Sequence, residues 1–149
     1  MRLFPGLSSL TLGVSSLPEA TAFYEKLGWK RLPEESSAAA SVFILNNVLL
    51  ILRLDILMQR DLNAGDVRDP LAAYGQNYGD APSVAAAVDR AREAGATILR
   101  EAGPETFAKR KPGEDGARGV FSDPDGHLWD MVYDPRLIPA ADGSVRLRD

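Results

Sequence analysis

The chain has 149 residues, 45% hydrophobic and 26% charged, enough to bury one core and near the usual size of a single domain. A formal charge of −4, with Lys and Arg scattered apart from AKRK at 108–111, removes the electrostatic basis for a nucleic-acid partner. The absence of cysteine excludes disulfides, thiolate nucleophiles and thiolate metal ligands.

At the N-terminus, MRLFPGLSSLTLGV lacks a charged segment followed by a long apolar run and a cleavage site. No apolar stretch approaches the ~18 residues needed to span a bilayer. A soluble cytoplasmic protein with no membrane partner is expected.

Residues 7–14, LSSLTLGV, alternate polar and apolar and read as a half-buried strand. SSLPEATAFYEKLGW then reads as a helix, with Ser16 as N-cap, Pro18 and Glu19 in the first turn and Gly28 closing it. Trp29 to Leu32 give a short strand. SVFILNNVLLILRL (41–54) gives two more, joined by Asn46-Asn47, residues that tolerate the positive φ of a tight turn. Residues 55–70 show no sustained period and are assigned to a connector with at most one helical turn.

The second half repeats the plan. LAAYGQNY (71–78) is a strand, and DAPSVAAAVDRAREAGATILRE is a helix capped near Ser83, closed by Gly95 and followed by a strand. Laying Gly28 on Gly95 superimposes Leu17 on Val84, Ala20 on Ala87 and Leu27 on Ala94, one pattern at an offset of 67 residues. The polar, Pro/Gly-rich run 102–116 reads as a loop. GVFS and HLWDMVY then form a hairpin through DPDG.

The chain is therefore a tandem pair of βαβββ modules: module one at 6–54, a connector at 55–70, module two at 71–134 and a tail at 135–149, forming one domain over 1–149. A single module leaves one sheet face bare, so the modules must pack together or against a second chain, and a cleft between them is the natural binding site.

Candidate chemistry concentrates in GVFSDPDGHLWDMVYDP, residues 119–135. DPDG has turn chemistry, with Pro124 fixing φ, Asp123 able to accept backbone amides and Gly126 supplying positive φ, so Asp123, Asp125 and His127 read as turn residues. Strand alternation puts Leu128, Asp130 and Val132 on one face and Trp129, Met131 and Tyr133 on the other. Asp130 is then a half-buried carboxylate that needs a partner or a raised pKa, which makes it the strongest catalytic candidate beside a structural ion-pair reading. Arg53, of the same parity as Leu49 and Ile51, is a candidate partner. Ser9, Thr11 and Asn77 offer neutral hydrogen-bonding groups, and Phe107 is placed to fold over a ligand. No phosphate-binding loop and no G-x-S-x-G elbow is present.

The run LTLGVSSLPEATAFYEKLGW followed by SDPDGHLWDMVYDP resembles the vicinal oxygen chelate superfamily, which includes glyoxalase I, extradiol dioxygenases and bleomycin- and fosfomycin-resistance proteins. The resemblance runs from about residue 6 to residue 135. It implies an α+β fold in which two tandem βαβββ modules form a glyoxalase-like half-barrel with an interior cleft, and a homodimer. In metal-using members the first, fourth, fifth and eighth strands carry His, Gln or Glu ligands. Here those positions fall on Ser9, near Ile51, near Ala73 and on Asp130, so three of the four have lost the ligand type. No cofactor is expected, and a divalent metal is disfavoured by the donor count, because a transition metal needs three or four imidazole, carboxylate or thiolate donors around one point.

Two readings follow. One is a protein similar to the bleomycin-resistance branch, without a metal site, binding a small, largely apolar molecule in the cleft. The other is a lyase, isomerase or dioxygenase of the same superfamily, using either a metal or Asp130 as general base.

Overall fold

The computed structural model describes residues 6–64, 71–107 and 111–148. The chain runs β1 (Ser9–Val14), α1 (Leu17–Lys26), β2 (Lys30–Arg31), β3 (Ala40–Leu45), β4 (Val48–Leu54), α2 (Asp55–Leu62), β5 (Ala73–Asn77), α3 (Ala81–Glu93), β6 (Thr97–Glu105), β7 (Gly116–Ser122), β8 (Leu128–Tyr133), β9 (Leu137–Pro139) and β10 (Val145–Leu147), with a 3-10 turn at Pro33–Glu35. One four-stranded sheet has the order β1-β4-β3-β2 and the other β5-β8-β7-β6. In each, the first and last strands of the module pair in parallel and the remaining pairs are antiparallel. The fold is the expected pair of βαβββ modules.

Local chemistry sets the helix ends. Ser16 Oγ accepts from the Glu19 amide and opens α1. The cap of α3 is Asp80, whose Oδ1 accepts from the Ser83 amide at 2.8 Å, so that helix starts before the expected cap at Ser83. Gly28 and Gly95 follow the two helices with φ of 83° and 96°, a region open to glycine without strain. Asn46 takes φ of 54° in the β3–β4 turn.

Three segments differ from expectation. The connector is more ordered than its sequence suggests: α2 has eight residues, docked by Met58 near Gly13 of β1, while residues 65–70 lie outside the described residues. The expected loop at 102–116 begins too early, because β6 continues to Glu105: after two register shifts against β7, between Ile98 and Arg100 and between Arg100 and Gly103, Gly103 and Pro104 pair in register with Arg118 and Ala117. The tail is a hairpin, β9–β10, whose turn residue Gly143 lies against Asn46 of the same chain.

One core serves both modules. Leu12, Phe43, Leu50 and Leu52 enter it from the first sheet, Phe121, Trp129 and Met131 from the second, and α1 lies between with Tyr24 fully buried. Trp129 meets Trp29 edge-on with centroids 4.8 Å apart, and Tyr24 at 6.1 Å. Because side chains alternate along each strand, the outer faces of both sheets are turned away from this shared core. No described helix is long and apolar enough to cross a membrane.

Candidate functional site

The outer face of the second sheet carries the charged groups. Val120 of β7 and Gly75 of β5 flank Asp130 in register, and Arg118 and Asn77 flank Val132 one row on. Arg118 reaches diagonally, placing Nε 3.1 Å from Asp130 Oδ1, while its Nη1 donates to Glu105 Oε2 at 3.1 Å. Arg100 Nη1 donates to the same Glu105 oxygen at 2.7 Å. That hydrogen bond, reinforced by both guanidinium charges, holds the Glu105 carboxyl below its ordinary range.

The Arg118 guanidinium also lies over the Phe107 ring, 5.3 Å from its centroid, and Arg136 approaches the same ring at 6.0 Å. Arg136 is in turn clasped by Asp134 at 2.6 Å, an interaction that lowers the Asp134 pKa. Phe107 is thus held against two cations at the edge of this face. The structure brings Asp130 and Phe107 together through Arg118, with Asn77 on the same face.

The Arg118–Asp130 contact is close, but its angles are not those of a hydrogen bond. Arg118 Nε and Asp130 Oδ1 are both buried atoms without a hydrogen-bond partner among the described residues. The two opposite charges satisfy each other electrostatically as an ion pair instead.

The other predicted residues lie on the outer face of the first sheet, where Ser9 is paired with Leu49, Thr11 with Ile51 and Gly13 with Arg53. The expected pairing of Arg53 with Asp130 does not occur. Arg53 instead binds Asp61 of α2, whose pKa is lowered by Arg60 and Arg53 together. The cause is local: α2 follows β4 directly and turns back over it, so Asp61 reaches Arg53 first. Ser9 is exposed and Thr11 half-buried.

The residues do not fit a metal. Ser9, Ile51 and Ala73 supply no strong donor, Asp130 is engaged by a guanidinium, and among the described residues no three His, Cys, Asp or Glu side chains converge to hold an ion. His127 is committed elsewhere, its Nε2 lying 2.8 Å from the Gly13 carbonyl. The DPDG turn is a clasp between modules: Asp125 accepts from the Ser15 amide and hydroxyl, and Asp123, 3% exposed, accepts from the Tyr24 hydroxyl and from the amides of Asp125 and His127.

Sequence reasoning missed Arg118 and Arg100 as site residues and set Glu105 aside as a solvated loop carboxylate. Arg118 was findable, because counting back across the DPDG hairpin sets Val120 opposite Asp130 and gives Arg118 the same parity. Glu105 was hidden by its Gly-Pro neighbourhood, which reads as loop although the strand continues there.

Comparison with known proteins agrees with this architecture. A family model described as the Glyoxalase/Bleomycin resistance protein/Dioxygenase superfamily matches residues 6–131. No curated protein matches the sequence. Among solved structures, a glyoxalase-related enzyme from Fulvimarina pelagi is 28% identical, with a TM-score of 0.81 over 98% of this chain and 100% of that one. A glyoxalase/bleomycin resistance protein/dioxygenase family enzyme from Burkholderia phytofirmans PsJN is 16% identical, with a TM-score of 0.69 over 87% of this chain and 98% of that one. A glyoxalase/bleomycin resistance protein/dioxygenase from Alicyclobacillus acidocaldarius is 19% identical, with a TM-score of 0.61 over 89% and 94%. With its two βαβββ modules and a family match over most of its length, the chain belongs to the glyoxalase/bleomycin resistance protein/dioxygenase superfamily.

Proposed function

We propose that this protein binds a small, largely apolar molecule without a metal, in a cleft that two copies of the chain complete. The observation that carries the reading is the polar cluster on the outward face of the second sheet, where the paired Asp130 and Arg118 side chains are still 25% and 32% exposed. Around the pair the face is apolar, with Val120, Leu128 and Val132 as neighbours. With Arg100 and Glu105 the cluster holds two cations and two anions, so it suits a neutral ligand with a polar edge and an apolar body.

The second copy follows from the outer face of the first sheet. Val42, Leu49 and Ile51 make it apolar, and α2 covers only one end, leaving Ile56 and Leu62 69% and 62% exposed. An apolar sheet face needs a covering layer. Setting the first sheet of one copy across from the second sheet of another supplies that layer and gives a cleft with Ser9 and Thr11 on one wall and Asp130, Asn77 and Phe107 on the other.

A thermal-shift screen of neutral aromatic and heteroaromatic compounds, run with chelator present, tests this reading. Compounds that raise the Tm of the wild type and not of Asp130→Ala support it. Stabilisation that appears only on adding a divalent metal contradicts it.

The partly exposed Asp130 carboxylate supports a second reading, in which Asp130 is the general base of a lyase, isomerase or dioxygenase. The Fulvimarina pelagi protein is called an enzyme, at 28% identity. Asp130→Asn distinguishes the two, since a base mutant loses turnover while keeping ligand.

A further inference from the structure

We infer that the seam between the modules holds a second binding site, for an aromatic carboxylate. The seam contains a cavity of about 640 Å³, within the range of small-molecule sites. It wraps the β5 edge of the second sheet: Tyr74, Gln76 and Trp129 line it from the core side, and Ala73, Gly75 and Asn77, on the Asp130 face by strand parity, border it from the other. Trp29 and Leu10 line the side belonging to module one, and the β9–β10 hairpin closes the top where Gly143 abuts Asn46.

The wall is aromatic at its base. Trp29 and Tyr74 both pack on Trp129, with centroids 4.8 Å and 5.4 Å away, and Trp29 packs on Tyr24 as well at 5.2 Å. A smaller pocket of about 50 Å³ adjoins the cavity, sharing Trp29, Gln76 and Tyr78 with it.

Charge gives the ligand its class. Among the described residues no Asp or Glu lines either space, although the chain carries 21 of them against 17 Lys and Arg. Lys30 lines the cavity and Arg90 the adjoining pocket, and neither forms an ion pair among the described residues. The Arg90 side chain donates to the Leu27 carbonyl, at 3.4 Å, its one hydrogen bond among the described residues. An aromatic surface with cations and no anions suits a planar apolar body with one negative group. A single lysine at the wall of the main cavity, without a guanidinium fork or a helix N-terminus, matches a monovalent carboxylate better than a phosphate.

Both tryptophans of the chain line this cavity, so intrinsic fluorescence reports on it directly. The probe is para-tert-butylbenzoate, compared with its neutral amide, para-tert-butylbenzamide. The benzoate is expected to change the tryptophan emission saturably and to bind about fivefold more tightly than the amide. Lys30→Met should abolish that preference, Lys30→Arg should keep it, and Asp130→Ala should leave it intact. Lys30 is exposed, so these variants are expected to fold. The proposal is overturned by an absence of saturable change, by equal binding of acid and amide in the wild type, or by a preference that survives Lys30→Met or disappears in Asp130→Ala.

Discussion

The hydroxyl of Tyr24, on α1, donates to Asp123 Oδ2 at 2.7 Å and accepts from Trp129 Nε1 at 3.0 Å, so one buried side chain joins both modules. Burial and the neighbouring Asp123 push the Tyr24 pKa upward, and the phenol keeps its proton and remains the donor at all physiological pH values. Tyr24→Phe should cost about 2 kcal/mol, because a buried carboxylate and an indole N–H each lose a partner. Denaturant unfolding measures this, and a change below about 0.5 kcal/mol would mean that water replaces the hydroxyl.

Arg118 is the hub of the outer charged face. Its side chain and that of Asp130 are 32% and 25% exposed, so screening limits the stability that their contact contributes. Arg118→Gln should cost only about 1 kcal/mol and yet abolish ligand stabilisation at the Asp130 face. Unchanged ligand shifts in this variant would detach Arg118 from the site.

Gly119 is where the second sheet meets its helix. A Cβ there would lie 2.5 Å from Val88 Cγ2 and 3.3 Å from the Ala102 backbone. Gly119→Ala should destabilise by about 1–3 kcal/mol through overpacking. Gly103→Ala on the adjacent strand meets nothing closer than 4.0 Å and is the neutral control. Equal unfolding midpoints for the two variants would contradict this packing.

Asp134 gives the fold an acid-sensitive contact. Hydrogen bonds from Arg136 lower its folded pKa, so the stabilisation is complete above the unfolded value of about 3.9 and is lost as pH falls through the lower folded value. Asp134→Asn should therefore be less stable than the wild type at pH 7, with the gap closing below about pH 4. A pH-independent difference in Tm would rule out this linkage.

The modular fold was legible because each signal is local. The Ser16 cap, the glycines after both helices, the Asn-Asn turn and the parity of Asp130 against Trp129 all rest on neighbours within a few residues. The site was half legible. Parity put Ser9, Thr11, Arg53 and Asp130 on outer faces, but not the capture of Arg53 by α2 or the reach of Arg118 to Asp130. Those depend on helix placement and on a strand continuing through Gly-Pro, where propensity points the other way. Likewise DPDG reads as a turn in sequence, and only the packed modules give its aspartates Ser15 and Tyr24 as partners.

Native mass spectrometry of chelator-treated protein, before and after adding Zn, Ni or Mn ions, tests the central claim most directly. The account predicts a dimer that carries no metal under either condition. A persistent monomer would leave the Asp130 face without its opposite wall, and a dimer taking up one ion per chain would overturn the metal-free reading.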